Sequence, residues 1–249
     1  MFHDQKENEQ HYEKVLQYKS SLYFERFDEE LLEKRPFVAH LLKQAFERHF
    51  PQNAGTVLDL GCGTGFYFPL LAVHADELIG IDVCQSMLDQ AKHTIDTRAL
   101  ANCRVLRSSA GELPMEDQSV DVVHSWDFLH HVEDVSKVFC EIRRVLKPGG
   151  RYIAVEPNLL NPSIAWYHAR RRSEWRLFVQ NQFTMPRQLR HHFDVRVSYD
   201  NTIISFLNDK TYWIWKSVER LTSVSLFRWL AFRYILDCRL QSKPNSAVL

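Results

Sequence analysis

The chain has 249 residues, of which 45% are hydrophobic and 25% charged, and it carries 31 basic and 31 acidic side chains. This composition excludes disordered, collagen-like and mucin-like chains, and the length suits one domain of moderate size with an elaboration. The zero net charge is an average over two unlike parts, because residues 1–164 carry a net charge of −8 and residues 165–249 a net charge of +8. We therefore expect different partners for the acidic front and the basic back.

The predicted elements begin with a helical segment at residues 1–50, which we interpret as an N-terminal helical lid. From Thr56 onward, short apolar runs alternate with amphipathic helical patterns. The runs predict strands at Thr56–Leu60, Glu77–Ile81, Cys103–Arg107, Val120–His124 and Arg151–Val155. Helices are predicted at Ser86–Ile95 and Asp134–Leu146, the second stopped by a Pro-Gly-Gly sequence. This alternation indicates βαβ units and a parallel sheet.

The regular alternation of strand and helix patterns ends after Glu156. Residues 157–185 read as irregular or as short helices, and the alternating apolar positions of 193–199 and 234–240 predict two further strands. Residues 209–230 are rich in Trp, Leu and Arg and read as helix. We divide the chain into the lid at 1–50 and a domain at 51–249 with cap insertions at about 157–190 and 208–232.

The cysteines and the N-terminal residues bear on compartment and metal content. The five cysteines are scattered and odd in number, which predicts reduced thiols in a cytosol, and no metal-ligand spacing occurs. The polar N-terminus does not read as a signal peptide, and no run of 18 apolar residues exists that would span a membrane. We expect a cytoplasmic protein without a metal.

A glycine-rich turn, Asp59-Leu60-Gly61-Cys62-Gly63-Thr64-Gly65, follows the first predicted strand. Such a turn lets the backbone approach a ligand closely, and Asp82, 21 residues after Gly61, can accept hydrogen bonds from both ribose hydroxyls of a nucleoside. A dinucleotide is disfavoured, because Phe66 stands where its fingerprint wants a third glycine and Asp59 would repel a pyrophosphate. A purely structural turn is the alternative. The pattern favours a ligand with a ribose and a cation, a description that S-adenosylmethionine meets.

Four stretches between residues 56 and 156 carry a resemblance to a known family: VLDLGCGTG, GIDVCQSML, ELPMEDQSVDVVHS and FLHHVEDVSKVFCEIRRVLKPGG. In this order and spacing they resemble class I S-adenosylmethionine-dependent methyltransferases, in particular the ubiquinone- and menaquinone-biosynthesis group (methyltransferase type 11). The resemblance implies an α/β, Rossmann-like, mostly parallel sheet of seven strands in the order 3-2-1-4-5-7-6, with strand 7 antiparallel. It also implies an enzyme that uses S-adenosylmethionine.

The resemblance assigns five residues to the methionine and ribose parts of that cofactor. Gly61 and Gly63 would lie under the methionine part, and Asp59 near its amino group. Asp82 would bind the ribose hydroxyls. Ser125, after the fourth strand, would line the pocket near the methionine.

Four further residues are assigned by the resemblance to the adenine. Val83 and Met87 would flank the ring. The family usually has Asp or Asn before the segment that begins at Ala110, but this chain has Ser109 there. Adenine recognition would then involve Ser109 or the backbone around Ala110.

Two residues near the cleft are candidates for catalysis. His131 follows the fourth strand and would border the methyl-transfer region or act as a general base; the alternative is a packed histidine that holds the loop. Glu156 ends the fifth strand and would orient the acceptor or cap the following turn. Methyl transfer itself needs mainly positioning and desolvation.

The basic, aromatic end of the chain leaves three interpretations open. It is a substrate cap with a solvated basic face, an interfacial element that contacts a membrane through 157–176 and 209–230, or a nucleic-acid surface, which we do not expect. We predict methyl transfer to a hydrophobic small molecule, such as a lipid, quinone precursor or polyketide-like compound. The alternatives are an RNA or protein methyltransferase and a non-catalytic S-adenosylmethionine-binding protein.

Overall fold

Seven strands form one sheet in the order β3-β2-β1-β4-β5-β7-β6 in the computed structural model, which describes residues 36–170, 172–200 and 227–240. The strands are β1 Thr56–Leu60, β2 Glu77–Asp82, β3 Cys103–Arg107, β4 Val120–Trp126, β5 Leu146–Pro157, β6 Phe193–Asp200 and β7 Arg233–Leu240. Strand β7 is antiparallel to its neighbours β5 and β6, whereas the pairs among β1 to β5 are parallel. The predicted fold class and strand order are confirmed.

Six α-helices are described, and they cover both faces of the sheet. They are α1 Pro36–His49, α2 Phe68–Leu71, α3 Gln85–Thr97, α4 Val135–Val145, α5 Pro162–Ala169 and α6 Thr184–Leu189. Short 3-10 turns lie at Ala72–His74, Leu129–His131, Arg172–Phe178 and Arg228–Leu230.

Helix α4 shows why these segments fold as they do. Its apolar residues recur every three or four positions and are all buried: Val135, Val138, Phe139, Ile142 and Val145. The Asp134 side chain accepts a hydrogen bond from the Lys137 amide at 3.1 Å and so caps the first turn. Each large apolar side chain buried in this way contributes roughly 1.5–3 kcal/mol relative to exposure.

The two faces of the sheet bury separate cores. On one face, Phe46 and Phe50 of α1 pack against Val122 and Trp126 of β4. On the other face, Phe139 and Ile142 of α4 pack against alternate residues of the same strands, such as Leu58 and Val123. Because both faces are covered, the central strands are apolar on both sides. The polar groups inside these strands therefore need partners or a ligand.

The predicted boundaries hold for most elements. The bounds of β1 and β3 match the prediction, whereas β4 extends two residues further, to Trp126, and β5 begins earlier, at Leu146. Short helices do occupy the segment that follows β5. Most of the predicted lid and most of the second cap insertion lie outside the described residues, and the division into lid, domain and caps stays a prediction.

Candidate active site

The glycine turn after β1 has a backbone that side chains rarely adopt. Gly61, Gly63 and Gly65 have φ angles of +67°, +53° and +73°. A Cβ atom on Gly61 would lie 2.3 Å from the Phe128 ring, so any larger residue there would displace the ring. The Gly61 amide donates a hydrogen bond to the Ile81 carbonyl at 2.8 Å, which ties the turn to β2. The turn is therefore a fixed cradle at the carboxyl edge of the sheet.

Asp82 is the acid that this cradle contacts. Its Oδ2 accepts a hydrogen bond from the Gly63 amide and its Oδ1 one from the Cys84 amide, both at 2.9 Å. Burial raises the pKa of the Asp82 carboxyl, and these amides oppose the rise because they stabilise the ionised form. Each carboxylate oxygen keeps a lone pair for a further donor. The pair of oxygens beside a glycine turn fits the two hydroxyls of a ribose.

The residues assigned to the adenine lie along the same edge, but Met87 differs from the other three. Val83, Ser109 and Ala110 are partly exposed, whereas Met87 is only 1% exposed and packs inside the core. The Ser109 hydroxyl accepts a hydrogen bond from the Gly111 amide at 3.2 Å and so shapes the loop after β3. The adenine assignments stay predictions. If Met87 contacts the adenine, it does so from within the core, below the partly exposed residues of the site.

The segment that follows this loop is held by an ion pair on α4. The Leu113 amide donates to Glu141 at 2.8 Å, and Arg144 donates to the carbonyls of Leu113 and Met115 at 2.9 and 2.7 Å. Arg144 also donates to Glu141 itself at 2.8 Å. The hydrogen bond from Arg144 lowers the pKa of the Glu141 carboxyl, so the pair is charged at neutral pH. This pair therefore fixes the segment that follows the Ser109 loop.

Asp59 does not lie open to the glycine turn. Its carboxylate is 2.7 Å from Nδ1 of His124, which is the residue opposite it on β4, and both side chains are buried. A neighbouring strand thus supplies the Asp59 carboxylate with a partner, and the predicted contact with a cofactor amino group stays a prediction. The pair with His124 was not predicted, since only the register of two strands brings His124 to Asp59.

Ser125 points to the opposite face of the sheet from His124. Its hydroxyl is fully buried and lies 2.9 Å from the Tyr152 hydroxyl. This side chain fastens β4 to β5 inside the core. Its predicted place beside the methionine part of the cofactor stays a prediction, and the hydroxyl already has a partner.

Glu156 is also occupied by protein groups. One oxygen accepts hydrogen bonds from the amides of Phe128 and Leu129 at 2.9 and 2.7 Å, and the other lies 2.6 Å from Nδ1 of His130. Burial opposes ionisation, but His130 and the two amides outweigh it and hold the pKa of Glu156 below its usual value. The carboxylate holds the loop after β4, not the turn that follows Glu156 itself, and both predicted roles of Glu156 stay predictions.

His131 follows this clamp on the 3-10 turn Leu129–His131. It is partly exposed, its amide donates to the Phe128 carbonyl at 3.0 Å, and its ring lies 4.1 Å from that of His130. The structure thus places His131 on a loop fixed by Glu156, at the carboxyl end of β4. Its role as a general base stays a prediction.

A small cavity of about 20 Å³ lies between α1 and the sheet. Its walls are mainly apolar and come from α1, β4, β5 and β7; among them are Phe46, Phe50, Trp126, Ile153 and Val155. His124 is part of the wall, whereas the glycine turn and Asp82 are not. Such a cavity has room for about one water molecule, far less than a small-molecule site uses.

The comparisons with known proteins agree with this geometry. Residues 58–154 match the family model described as a methyltransferase domain. These residues are therefore similar to a methyltransferase domain, in agreement with the predicted resemblance.

Curated relatives of the domain include two demethylmenaquinone methyltransferases. The protein of Lactococcus lactis is 36% identical over 115 residues, which is 45% of this chain and 45% of that protein. The protein of Lactiplantibacillus plantarum is 35% identical over 138 residues, which is 51% of this chain and 58% of that protein. The chain thus spans about half the length of these relatives.

A solved structure of a SAM-dependent methyltransferase from Aquifex aeolicus has the same fold. It superposes with a TM-score of 0.59 and 18% identity, over 92% of this chain and 98% of that one.

Among the described residues, no group of three or more His, Cys, Asp or Glu side chains is arranged to hold a metal ion.

Proposed function

We propose that the protein transfers the methyl group of S-adenosylmethionine to a hydrophobic small molecule. One observation carries the proposal: the glycine turn and Asp82, whose two carboxylate oxygens accept hydrogen bonds from the Gly63 and Cys84 amides, lie together at the carboxyl edge of the sheet. Open α/β sheets bind ligands at the carboxyl ends of their strands. The demethylmenaquinone methyltransferases among the relatives support a quinone-like acceptor.

The bound cofactor would supply an activated methyl group, so the protein's own part is to bind, orient and exclude water. Gly61 and Gly63 would let the backbone approach the ligand, and Asp82 would accept its ribose hydroxyls. The loop fixed by Glu156 would form the wall beside the acceptor and help to exclude water from it.

Calorimetric titration with S-adenosylhomocysteine tests the cofactor site. We expect Asp82→Ala to weaken binding by about 10- to 100-fold, because two charge-assisted hydrogen bonds are lost. The matched control is Asp96→Asn, an exposed acid near the end of α3. Unchanged affinity in Asp82→Ala would refute the assignment of this acid to the ribose.

Labelled methyl transfer into a fractionated cell extract tests the acceptor class. We expect label in the organic-soluble fraction and none with Asp82→Ala. Label in RNA or in protein would instead establish one of the two macromolecular alternatives. Binding of the cofactor without transfer into any fraction would favour a non-catalytic binding protein.

A second proposal concerns where the protein meets such an acceptor. The surface around α5 exposes large apolar side chains, which are 44% to 69% exposed: Trp166, Trp175, Phe178, Val179, Phe183 and Trp229. The Arg170 guanidinium lies 3.7 Å from the centre of the Trp166 ring. Aromatic side chains beside basic ones suit the headgroup region of an anionic bilayer. We propose peripheral membrane contact through 157–176; the predicted contact through 209–230 falls mostly outside the described residues.

No helix in the described part of the chain is long and apolar enough to cross a membrane.

Flotation with vesicles of phosphatidylcholine and phosphatidylserine at low salt tests peripheral contact. We expect the wild type to float and Trp166→Ser with Phe183→Ser to bind several-fold less. Val73→Ser removes an equally exposed apolar group from another surface and should leave flotation unchanged. Absence of flotation in the wild type would leave the segment as a substrate cap.

A further inference from the structure

Residues 175–193 form a surface segment that contains no Asp or Glu. Its first half exposes large apolar side chains, which are 44% to 69% exposed: Trp175, Phe178, Val179 and Phe183. Its second half exposes basic side chains, namely Arg187, Arg190 and His191. A solvated protein surface normally intersperses both signs of charge. A segment without acids that joins an apolar surface to a basic one therefore indicates a partner.

The apolar half of this segment is held in place by its own polar side chains. Asn181 Nδ2 donates to the Phe178 carbonyl at 2.8 Å, and Asn181 Oδ1 accepts from the Phe183 amide at 3.0 Å. Gln180 Nε2 donates to the Val132 carbonyl at 2.8 Å and so ties the segment to the loop after β4. The exposed rings are therefore carried by an ordered backbone, and binding them to a partner costs little further backbone entropy.

The basic half lies on α6 and directly after it. Phe183 precedes the first residue of α6 and Arg187 is four residues later, so the two side chains share one face of the helix. Arg190 and His191 follow the last residue of α6 and are exposed. Among the described residues, none of these three basic side chains takes part in an ion pair. Apolar and basic groups thus follow one another along a single exposed face.

The nearest acids do not neutralise this basic group. Asp194 comes next in the sequence, but it alternates along β6 with Phe193, whose side chain lies in the core beneath α4 and α6. The Asp194 side chain is therefore on the opposite face of the sheet. On the same face as α6, Glu141 of α4 is paired with Arg144 at 2.8 Å.

The helices on the other face of the sheet show the more common arrangement of exposed charge. Lys43 Nζ of α1 lies 4.0 Å from Glu47, and Lys92 Nζ of α3 lies 3.9 Å from Asp89. Each lysine there has an acid three or four positions away on its own helix. Helix α6 contains no acid at all. Its basic charge is therefore available to an external anion.

The order of the two halves favours a lipid bilayer over other anions. At a membrane interface, apolar side chains lie at the acyl boundary and basic ones among the headgroups. Anionic lipid attracts each nearby Lys or Arg by an amount that corresponds to about fivefold in affinity. Single-stranded RNA would instead need aromatic rings that stack on bases within the basic surface. In this segment the aromatic rings come before the basic side chains and are not interleaved with them.

We propose that residues 175–193 bind the surface of an anionic bilayer, with Phe178 and Phe183 at the acyl boundary and Arg187 and Arg190 at the phosphate-bearing headgroups. This inference rests on the peripheral membrane contact proposed above, and it adds the kind of lipid and the residues that select it. The structural alternative is that the two arginines only stabilise the carboxyl end of α6 through its dipole. That role predicts a loss of stability when they are removed, without any dependence on lipid charge.

Flotation with vesicles of phosphatidylcholine, with and without phosphatidylserine, separates the two roles. We expect the wild type to bind the anionic vesicles about tenfold more tightly or better than the neutral ones, and raised salt to reduce this preference. Arg187→Gln with Arg190→Gln should lose the preference. Lys43→Gln with Lys92→Gln removes the same charge from α1 and α3 and should keep it. Phe183→Ser should weaken binding to both kinds of vesicle by a similar factor.

Thermal denaturation of every variant shows that it has folded. Equal binding of the wild type to neutral and anionic vesicles would overturn the proposal and leave the membrane contact in place. A preference for anionic vesicles that survives in the double arginine variant would also overturn it. Absence of binding to both kinds of vesicle would refute this proposal and the membrane contact together, whereas methyl transfer is decided separately by the labelled extract. Binding of a labelled RNA oligonucleotide through the two arginines, without flotation, would overturn the proposal in favour of a nucleic-acid surface.

Discussion

Two buried histidine–carboxylate pairs lie near the carboxyl edge of the same sheet, at similar distances. Asp59 is 2.7 Å from His124, and Glu156 is 2.6 Å from His130. Glu156 also accepts hydrogen bonds from two backbone amides of the loop after β4. Asp59 has His124 as its one described hydrogen-bond partner, and His124 keeps an unpaired nitrogen in the wall of a cavity. The two pairs thus share their chemistry but differ in their hydrogen bonds. The closed pair, Glu156 with His130, also accepts from backbone amides, whereas the open pair, Asp59 with His124, keeps a ring nitrogen without a partner among the described residues.

The difference teaches that burial of an ionisable pair does not by itself mark a catalytic group. The described partners of Glu156 hold the loop after β4, so its hydrogen bonds stabilise that loop. The Asp59–His124 pair joins two strands and leaves one ring nitrogen without a partner among the described residues. Removing each carboxylate should therefore have different consequences in the two regions.

Glu156→Ala should have the largest effect on stability. It leaves the two loop amides and His130 without their acceptor in the core, and breaking a buried ion pair costs roughly 3–5 kcal/mol. Urea denaturation followed by circular dichroism measures the loss. Glu156→Gln keeps one acceptor oxygen for the amides and should lose less. If Glu156→Ala were as stable as the wild type and only slower in methyl transfer, Glu156 would not be holding the loop after β4.

Asp59→Ala should cost less, about 1–3 kcal/mol, because it removes one described hydrogen bond from a buried histidine. The same urea titration measures the loss. A loss as large as that of Glu156→Ala would show that the two pairs contribute equally to stability.

The comparison of regions also separates what the sequence could predict from what it could not. The cofactor edge was predictable because its parts are local: a glycine turn, and an acid at the end of the next strand. Strand β4 was predicted to end at His124, but pairing of Ser125 and Trp126 with β5 extends it. That extension comes from a neighbouring strand, which local composition does not reveal.

The pair at Asp59 lay beyond sequence reasoning for the same reason. The two residues are 65 positions apart, and they meet because of the register between β1 and β4. Alternation of Val120, Val122 and His124 could have placed the histidine on one face of β4, but not its partner. The same holds for Glu156: the capping alternative concerned the turn that follows it, whereas its hydrogen bonds reach the loop after β4, 26 to 28 positions earlier.

Lowering the pH should weaken the closed pair without changing a residue. The pKa of Glu156 is held below its usual value of 4.5 by His130 and the loop amides, against the effect of burial. Its contribution to stability is therefore fully present above the unfolded-state pKa and is lost as the pH falls through the folded-state pKa. Urea midpoints measured between neutral pH and pH 3 should fall less steeply in Glu156→Gln. Identical slopes for the two proteins would show that Glu156 is not ionised in the folded state.

The smallest effect should come from a third ion pair, which lies nearer to solvent. The side chains of Arg144 and Glu141 are 31% and 19% exposed, so solvent screens their attraction. Arg144→Ala should cost on the order of 1 kcal/mol of stability, less at high salt. It should nevertheless weaken binding of S-adenosylhomocysteine, because Arg144 holds the segment that follows the adenine loop. Arg143→Ala, an exposed neighbour on α4, is the matched control in calorimetry and denaturation. Equal cofactor affinity in both variants would mean that the segment after the Ser109 loop keeps its position without the Arg144–Glu141 pair. In that case only the two buried pairs would affect the site.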